Sequence, residues 1–164
     1  MLSTSEKEQI LREVPLFSQL QGHHLTSVAQ LAEVVSFSNG ETFIRQGDMG
    51  SCLYVIVQGT ATVVLEGAGV VDRVGAKAVI GELAILSVGP RSASCVATSD
   101  IQALKIDQET FWDILYEYPA IALEIVAMLG MYIKGLQQKL VAERSAQQHS
   151  SLLDSTMHML DTLV

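Results

Sequence analysis

No block of lysines or arginines occurs anywhere in this 164-residue chain, in which 10 basic side chains stand against 18 acidic ones for a formal net charge of −8. A non-specific grip on phosphodiester backbones has nothing to build on, so direct nucleic-acid binding is excluded on charge. Cysteine is scarce as well. Cys52 and Cys95 sit in apolar runs without C-x-x-C or Cys/His spacing, and both read as reduced thiols. The opening M-L-S-T-S-E-K-E-Q-I has neither the basic start nor the apolar core of a signal peptide. The longest apolar run, Ala120 to Ile133, is interrupted by Glu124 and falls short of the roughly 18 residues that a membrane span needs. These absences predict a soluble, cytoplasmic chain.

Histidine placement removes another class. A small β-roll enzyme of the metal-dependent type needs histidines and a carboxylate projecting from strands. Here His23 and His24 are adjacent near the start, and His149 and His158 lie near the end. No metal site assembles from them, which predicts a protein that is not an enzyme.

What is present is core. Hydrophobic residues make up 49% of the chain and charged residues 17%, the balance of a folded protein with one sizeable domain and an appendage. From Thr4 to about Val35, Ile10, Leu11, Val14, Leu25, Val28, Leu31 and Ala32 recur at helical spacing, broken by Pro15 and Gly22. Two or three short helices are predicted there. From Val34 to Ile106 the pattern becomes short β-rich segments, V-V-S-F, T-F-I-R, C-L-Y-V-I-V, A-T-V-V-L, V-V-D-R-V, A-S-C-V-A and I-Q-A-L-K-I. Turn signals at Asn39-Gly40, Gln46-Gly47-Asp48, Gln58-Gly59 and Gly67-Ala68-Gly69 separate them. The fold class is mainly β with flanking helices: an antiparallel, jelly-roll-like β-roll with N-terminal helices and a long C-terminal helix.

Beyond Gln108 the signal is again helical, first through Phe111, Trp112 and Leu115 and then, from Pro119, over a long segment to about Arg144. In that segment Ala122, Val126, Leu129, Ile133, Leu136 and Leu140 alternate steps of four and three, a heptad seam suited to a second copy of the same helix, with Ile121, Ile125, Met128 and Tyr132 as a stripe beside it. Phe111, Trp112 and Tyr132 read as core. The expected organisation is a β-roll with N-terminal helices over 1–118, a lid and dimerisation helix over 119–144, and a polar linker with a short amphipathic tail helix over 145–164.

One stretch carries chemistry. I-G-E-L-A-I-L-S-V-G-P-R-S-A-S, residues 80–94, places Glu82 and Arg91 in a run that is otherwise small or apolar. Either they form a structural ion pair, which is costly to desolvate, or they are the two ends of a site. A site would take a ligand carrying hydroxyls and negative charge. Gly81 lets a backbone come close, Arg91 supplies a planar fork for two phosphate oxygens, and Glu82 accepts hydrogen bonds from sugar hydroxyls.

With Gly81, Glu82, Leu83 and Ala84 followed by Pro90, Arg91, Ser92 and Ala93, the chain resembles the cyclic nucleotide-binding domain family. That module is shared by catabolite-activator transcription factors, regulatory subunits of cyclic-nucleotide-dependent kinases and cyclic-nucleotide-gated channels. The segments I-R-Q-G-D at 44–48 and Y-V-I-V-Q-G-T at 54–60 also match, and the resemblance extends over about residues 10 to 142. It implies that Glu82 takes the ribose 2′-hydroxyl and Arg91 the cyclic phosphate. The backbone of Gly81, Leu83 and Ala84 would close on the sugar-phosphate, with Ser92 and Ala93 adding contacts. Two departures stand out: Ile80 replaces the family's usual aromatic, and Lys77 replaces its usual glycine.

The resemblance further implies a sensor rather than a catalyst, without a built-in output domain. Its ligand is cAMP in preference to cGMP, with Leu136, Gln137 and Gln138 as the residues placed to meet the base. A homodimer through residues 120–142 and an unidentified protein effector reached through the C-terminal helices complete the expectation. The competing reading is a ligand-free adaptor or oligomerisation protein that keeps the fold.

Overall fold

The computed structural model describes residues 2–18, 20–86 and 89–117, together with isolated positions from Pro119 to Arg144. The chain divides into two compact units, Met1–Glu124 and Ile125–Val164.

The first unit opens on two helices. Ser3 caps α1 (Thr4–Arg12) through a reciprocal box: its hydroxyl accepts from the Glu6 amide, and the Glu6 carboxylate accepts from the Ser3 amide at 2.7 Å. The helix α2 (Gly22–Leu31) has no side-chain cap and is held by burial of Leu25, Val28 and Ala29. Pro15 and the turn residues around it separate the two, as the sequence predicts.

Among the described residues ten strands follow: β1 (Glu33–Phe37), β2 (Thr42–Ile44), β3 (Met49–Gly50), β4 (Cys52–Gln58), β5 (Ala61–Leu65), β6 (Gly69–Val74), β7 (Val79–Ile80), β8 (Gly89–Pro90), β9 (Ser94–Ala97) and β10 (Ile101–Asp107). The short helix α3 (Glu82–Leu86) stands between β7 and β8, and α4 (Gln108–Glu117) continues from β10. The seven segments read as strands from the sequence are all strands. Three others, β3, β7 and β8, are dipeptides, too short to carry a period, and exist only through their partners.

All pairings are antiparallel. One sheet has the order β1-β10-β4-β7, a second β2-β9-β5-β6, and β3 pairs with β8. Alternation on β4 sends Ile56 to the interior between the sheets, with Ile44, Ala61, Ile80, Cys95, Ala97, Ile101 and Ala103. Phe37 stacks on Phe43 at 4.5 Å, and Tyr54 meets both rings edge-on at 5.4 and 5.8 Å. Leu53, Val55, Leu104 and Ile106, on the opposite face, are also fully buried. Cover there comes from the helices, with α4 touching β10, α2 and α3.

Trp112 departs from its expected place in the core. Neighbouring helical residues point about 100° apart, so α4 can bury Phe111, 2% exposed, or Trp112, and it leaves Trp112 41% exposed. The indole instead donates from Nε1 to the Ile85 carbonyl at 2.9 Å, tying α4 to α3.

Every described position from Pro119 to Arg144 is helical. In the second unit Val126 and Ile133, two members of the heptad seam, are exposed. Leu136, Leu140, Tyr132 and the tail 145–164 lie outside the described residues. Among the described residues, no helix is long and apolar enough to cross a membrane.

Candidate functional site

The strand β7 pairs with β4 through Tyr54↔Ile80 and Val55↔Val79, which delivers Gly81 to the start of the neighbouring strand. Gly81 turns at φ +83°, in the left-handed region, and α3 begins at Glu82. The chain returns along β8, pairing Gly50↔Gly89 and Met49↔Pro90. Arg91 is then clamped by its backbone, its amide donating to Asp48 O at 2.8 Å and its carbonyl accepting from the Gly47 amide at 2.9 Å.

From that anchor the Arg91 side chain runs over two glycines. A Cβ at Gly81 would lie 2.2 Å from Arg91 Nη1, and one at Gly50 would lie 2.8 Å from Arg91 Nε and 2.7 Å from Ala84 Cβ. No side chain larger than hydrogen fits beneath the guanidinium at either position. Nη2 donates to the Cys52 thiol at 3.4 Å. Nη1 is buried and has no hydrogen-bond partner among the described residues. An unmade hydrogen bond on a buried donor costs about 1–3 kcal/mol, and more when the group is charged.

Glu82, at the first turn of α3, is half-buried. Among the described residues no ion pair joins it to Arg91. The structural ion pair is therefore not what the stretch builds. A cation and a carboxylate instead flank one short loop, and among the described residues the cation has an unspent donor.

Two nearby titratable side chains, Cys95 and Tyr54, add no anion beside the cation. Burial pushes the Cys95 thiol up to about 11, a shift that Arg91 opposes and Glu82 reinforces. Burial also raises the Tyr54 hydroxyl, helped by the neighbouring Cys52 and by Asp107 and opposed by Arg91. Both groups stay neutral near physiological pH. Such an arrangement can grip a small anion by charge-assisted hydrogen bonds while the carboxylate accepts from a hydroxyl on the same molecule.

The predicted residues fall as follows. Gly81, Glu82, Ala84 and Arg91 are brought together, with Ala84 buried at 7%. Leu83 contributes α3 backbone, and its side chain lies outside the described residues. Ala93 is half-buried and Ser92 exposed on the turn into β9. Gln137 and Gln138 are exposed helical residues that line a shallow surface hollow with Lys134 and Val141 in the second unit. Leu136 lies outside the described residues. Among the described residues, no cluster of three or more His, Cys, Asp or Glu is placed to hold a metal.

Sequence reasoning missed Gly50 and the Cys52 contact. Cys52 is buried at 6%, as its apolar run predicts, but it also touches Arg91, 39 positions away. Gly50 carries no signal distinguishing it from a hairpin glycine, because its neighbour is set by the β3–β8 pairing.

A family profile described as the cyclic nucleotide-binding domain matches residues 34–118. A cAMP-dependent protein kinase regulatory subunit from Colletotrichum orbiculare is 34% identical over 109 residues, covering 66% of this chain and 28% of that protein. The chain spans about a quarter of the length of the curated relatives it matches. Among solved structures, a cyclic nucleotide-binding-like protein from Brucella abortus superimposes with a TM-score of 0.61 at 30% identity, covering 67% of this chain and 97% of that one. The regulatory domain of Toxoplasma gondii PKA, co-crystallised with cAMP, gives a TM-score of 0.63 at 31% identity over 68% of this chain and 44% of that one.

Proposed function

Because the chain belongs to the cyclic nucleotide-binding domain family, we propose that it is a cyclic nucleotide sensor, a regulatory binding module and not an enzyme, that takes cAMP in preference to cGMP. The observation that carries this is the Arg91 guanidinium, seated over Gly50 and Gly81 with Nη1 buried and unbonded among the described residues. A cyclic phosphate supplies the missing acceptor. An adaptor that had lost its ligand would retain this orphan donor without return.

In this reading Arg91 binds the phosphate and Glu82 accepts from the ribose 2′-hydroxyl. The backbone of Gly81, Leu83 and Ala84 lines the sugar-phosphate, and Ser92 and Ala93 complete the turn beside it. Leu136, Gln137 and Gln138 are the residues assigned to the base, a glutamine amide being able to serve either purine. The exposed Val126 and Ile133 support a homodimer through residues 120–142. Occupancy would be relayed to a protein effector through the helical residues after 119, in the cytoplasm. A ligand shifts such an equilibrium only through its different affinity for the two arrangements.

Paired calorimetric titrations with cAMP and cGMP test the reading. Saturable 1:1 binding with cAMP tighter is the expected result. Absence of heat with both nucleotides overturns it, and tighter cGMP overturns the base preference alone.

A further inference from the structure

The thiol of Cys52 has a place in the site that its burial alone does not explain. It opens β4, opposite Asp107 on β10, and faces the same way as Tyr54. Its sulfur accepts from Arg91 Nη2 at 3.4 Å, while the other arm, Nη1, is buried and has no partner among the described residues. We propose that Cys52 is the positioning residue of the phosphate grip: it fixes the rotation of the Arg91 guanidinium so that Nη1 is the arm presented to ligand. This rests on the assignment of Arg91 to the phosphate.

The choice of sulfur has a chemical reason. A guanidinium has five donors in one plane, and with Cδ and Nε set over Gly50 and Cζ over Gly81 the remaining freedom of the group is which of its two arms faces which way. One acceptor at Nη2 removes that freedom. A carboxylate at this position would do so by forming a charged, bidentate pair, which would compete directly with an incoming phosphate. A thiol is a weak, uncharged acceptor, so it orients the fork and leaves the full positive charge to the ligand. The neutral state of Tyr54 and Cys95 nearby preserves that charge further.

Cys52→Ala and Cys52→Ser separate orientation from packing, because both remove about the same volume and only serine restores an acceptor. Cys52→Ala should weaken cAMP about tenfold, Cys52→Ser should recover most of that loss, and Cys52→Asp should weaken binding more than about a hundredfold by occupying the guanidinium. Equal losses for alanine and serine overturn the proposal. A second readout needs no nucleotide: heteronuclear NMR of the Arg91 side chain in the ligand-free protein should show slow rotation about Nε–Cζ, the motion that exchanges Nη1 with Nη2, in the parent and Cys52→Ser, and fast rotation in Cys52→Ala. Fast rotation in the parent overturns the positioning role. Slow rotation in the parent, released by alanine, supports it even where no cyclic nucleotide binds, and in that case the functional reading fails instead.

Discussion

Gly81 in the loop before α3 and Gly67 in the β5–β6 hairpin adopt almost the same backbone, at φ +83° and +81°, but for different reasons. A Cβ at Gly67 would meet nothing within 4 Å, whereas at Gly81 it would strike the Arg91 guanidinium. Two further positions complete the contrast. Gly50 needs the room without the left-handed turn, and Lys77, at φ +72°, makes such a turn without being glycine. The hairpin uses glycine for conformation alone, and the binding loop uses it to make space for a charge. Stability and ligand binding should therefore separate between the two regions.

The largest effects should come from the loop. Arg91→Ala is expected to remove cAMP binding, by about 3 kcal/mol or more, while the fold survives. Gly81→Ala should also lose binding and, in addition, lower stability by about 2 kcal/mol or more, because steric overlap adds to left-handed strain. Urea melts and titrations of both single variants and the double variant check this. In the Arg91→Ala background, Gly81→Ala should cost only its conformational part. Equal costs in both backgrounds would show that the guanidinium does not occupy that space.

An intermediate effect belongs to Cys95, whose buried thiol titrates at about 11 in place of its ordinary 9.0. Below about pH 9 both folded and unfolded chains keep this proton. Between pH 9 and 11 the unfolded chain loses it while the folded chain holds it, so stability falls as pH rises. The loss should reach about 2–3 kcal/mol by pH 11. Cys95→Ala should flatten that alkaline decline relative to the parent, as read from urea midpoints at pH 8 and 11.

The smallest effects lie at the turns away from the loop. Gly67→Ala should cost about 1 kcal/mol and leave cAMP affinity unchanged; a coupled loss of affinity would break the contrast. Lys77→Gly trades left-handed strain against backbone entropy and the exposed Lys77–Glu13 ion pair at 2.6 Å. Thermal melts should show a gain below about 1 kcal/mol.

The same contrast marks where sequence was informative. The long strands, the hairpin glycines and the binding loop were legible because their signals are local: alternation over five to seven residues, a Gly-Asp or Asn-Gly pair, a contiguous G-E-L-A and P-R-S-A. Lys77 was noticed as a replaced glycine, and its positive φ shows that the backbone there makes a turn of the kind glycine favours. Gly50, Cys52 and the dipeptide strands were not legible, because their roles depend on partners 24 to 41 positions away along the chain. Trp112 was misplaced because hydrophobicity alone cannot say which of two adjacent aromatics a helix turns inward.

That tryptophan is the only one in the chain, and its indole is bonded to the last turn of α3 while its ring is partly open to water. The molecule thus contains a built-in optical gauge of its own binding loop. Indole emission responds to hydrogen bonding at Nε1 and to the polarity around the ring, so a displacement of α3 by even part of a helical turn registers as a change in wavelength or intensity. No label need be attached to follow that loop in real time.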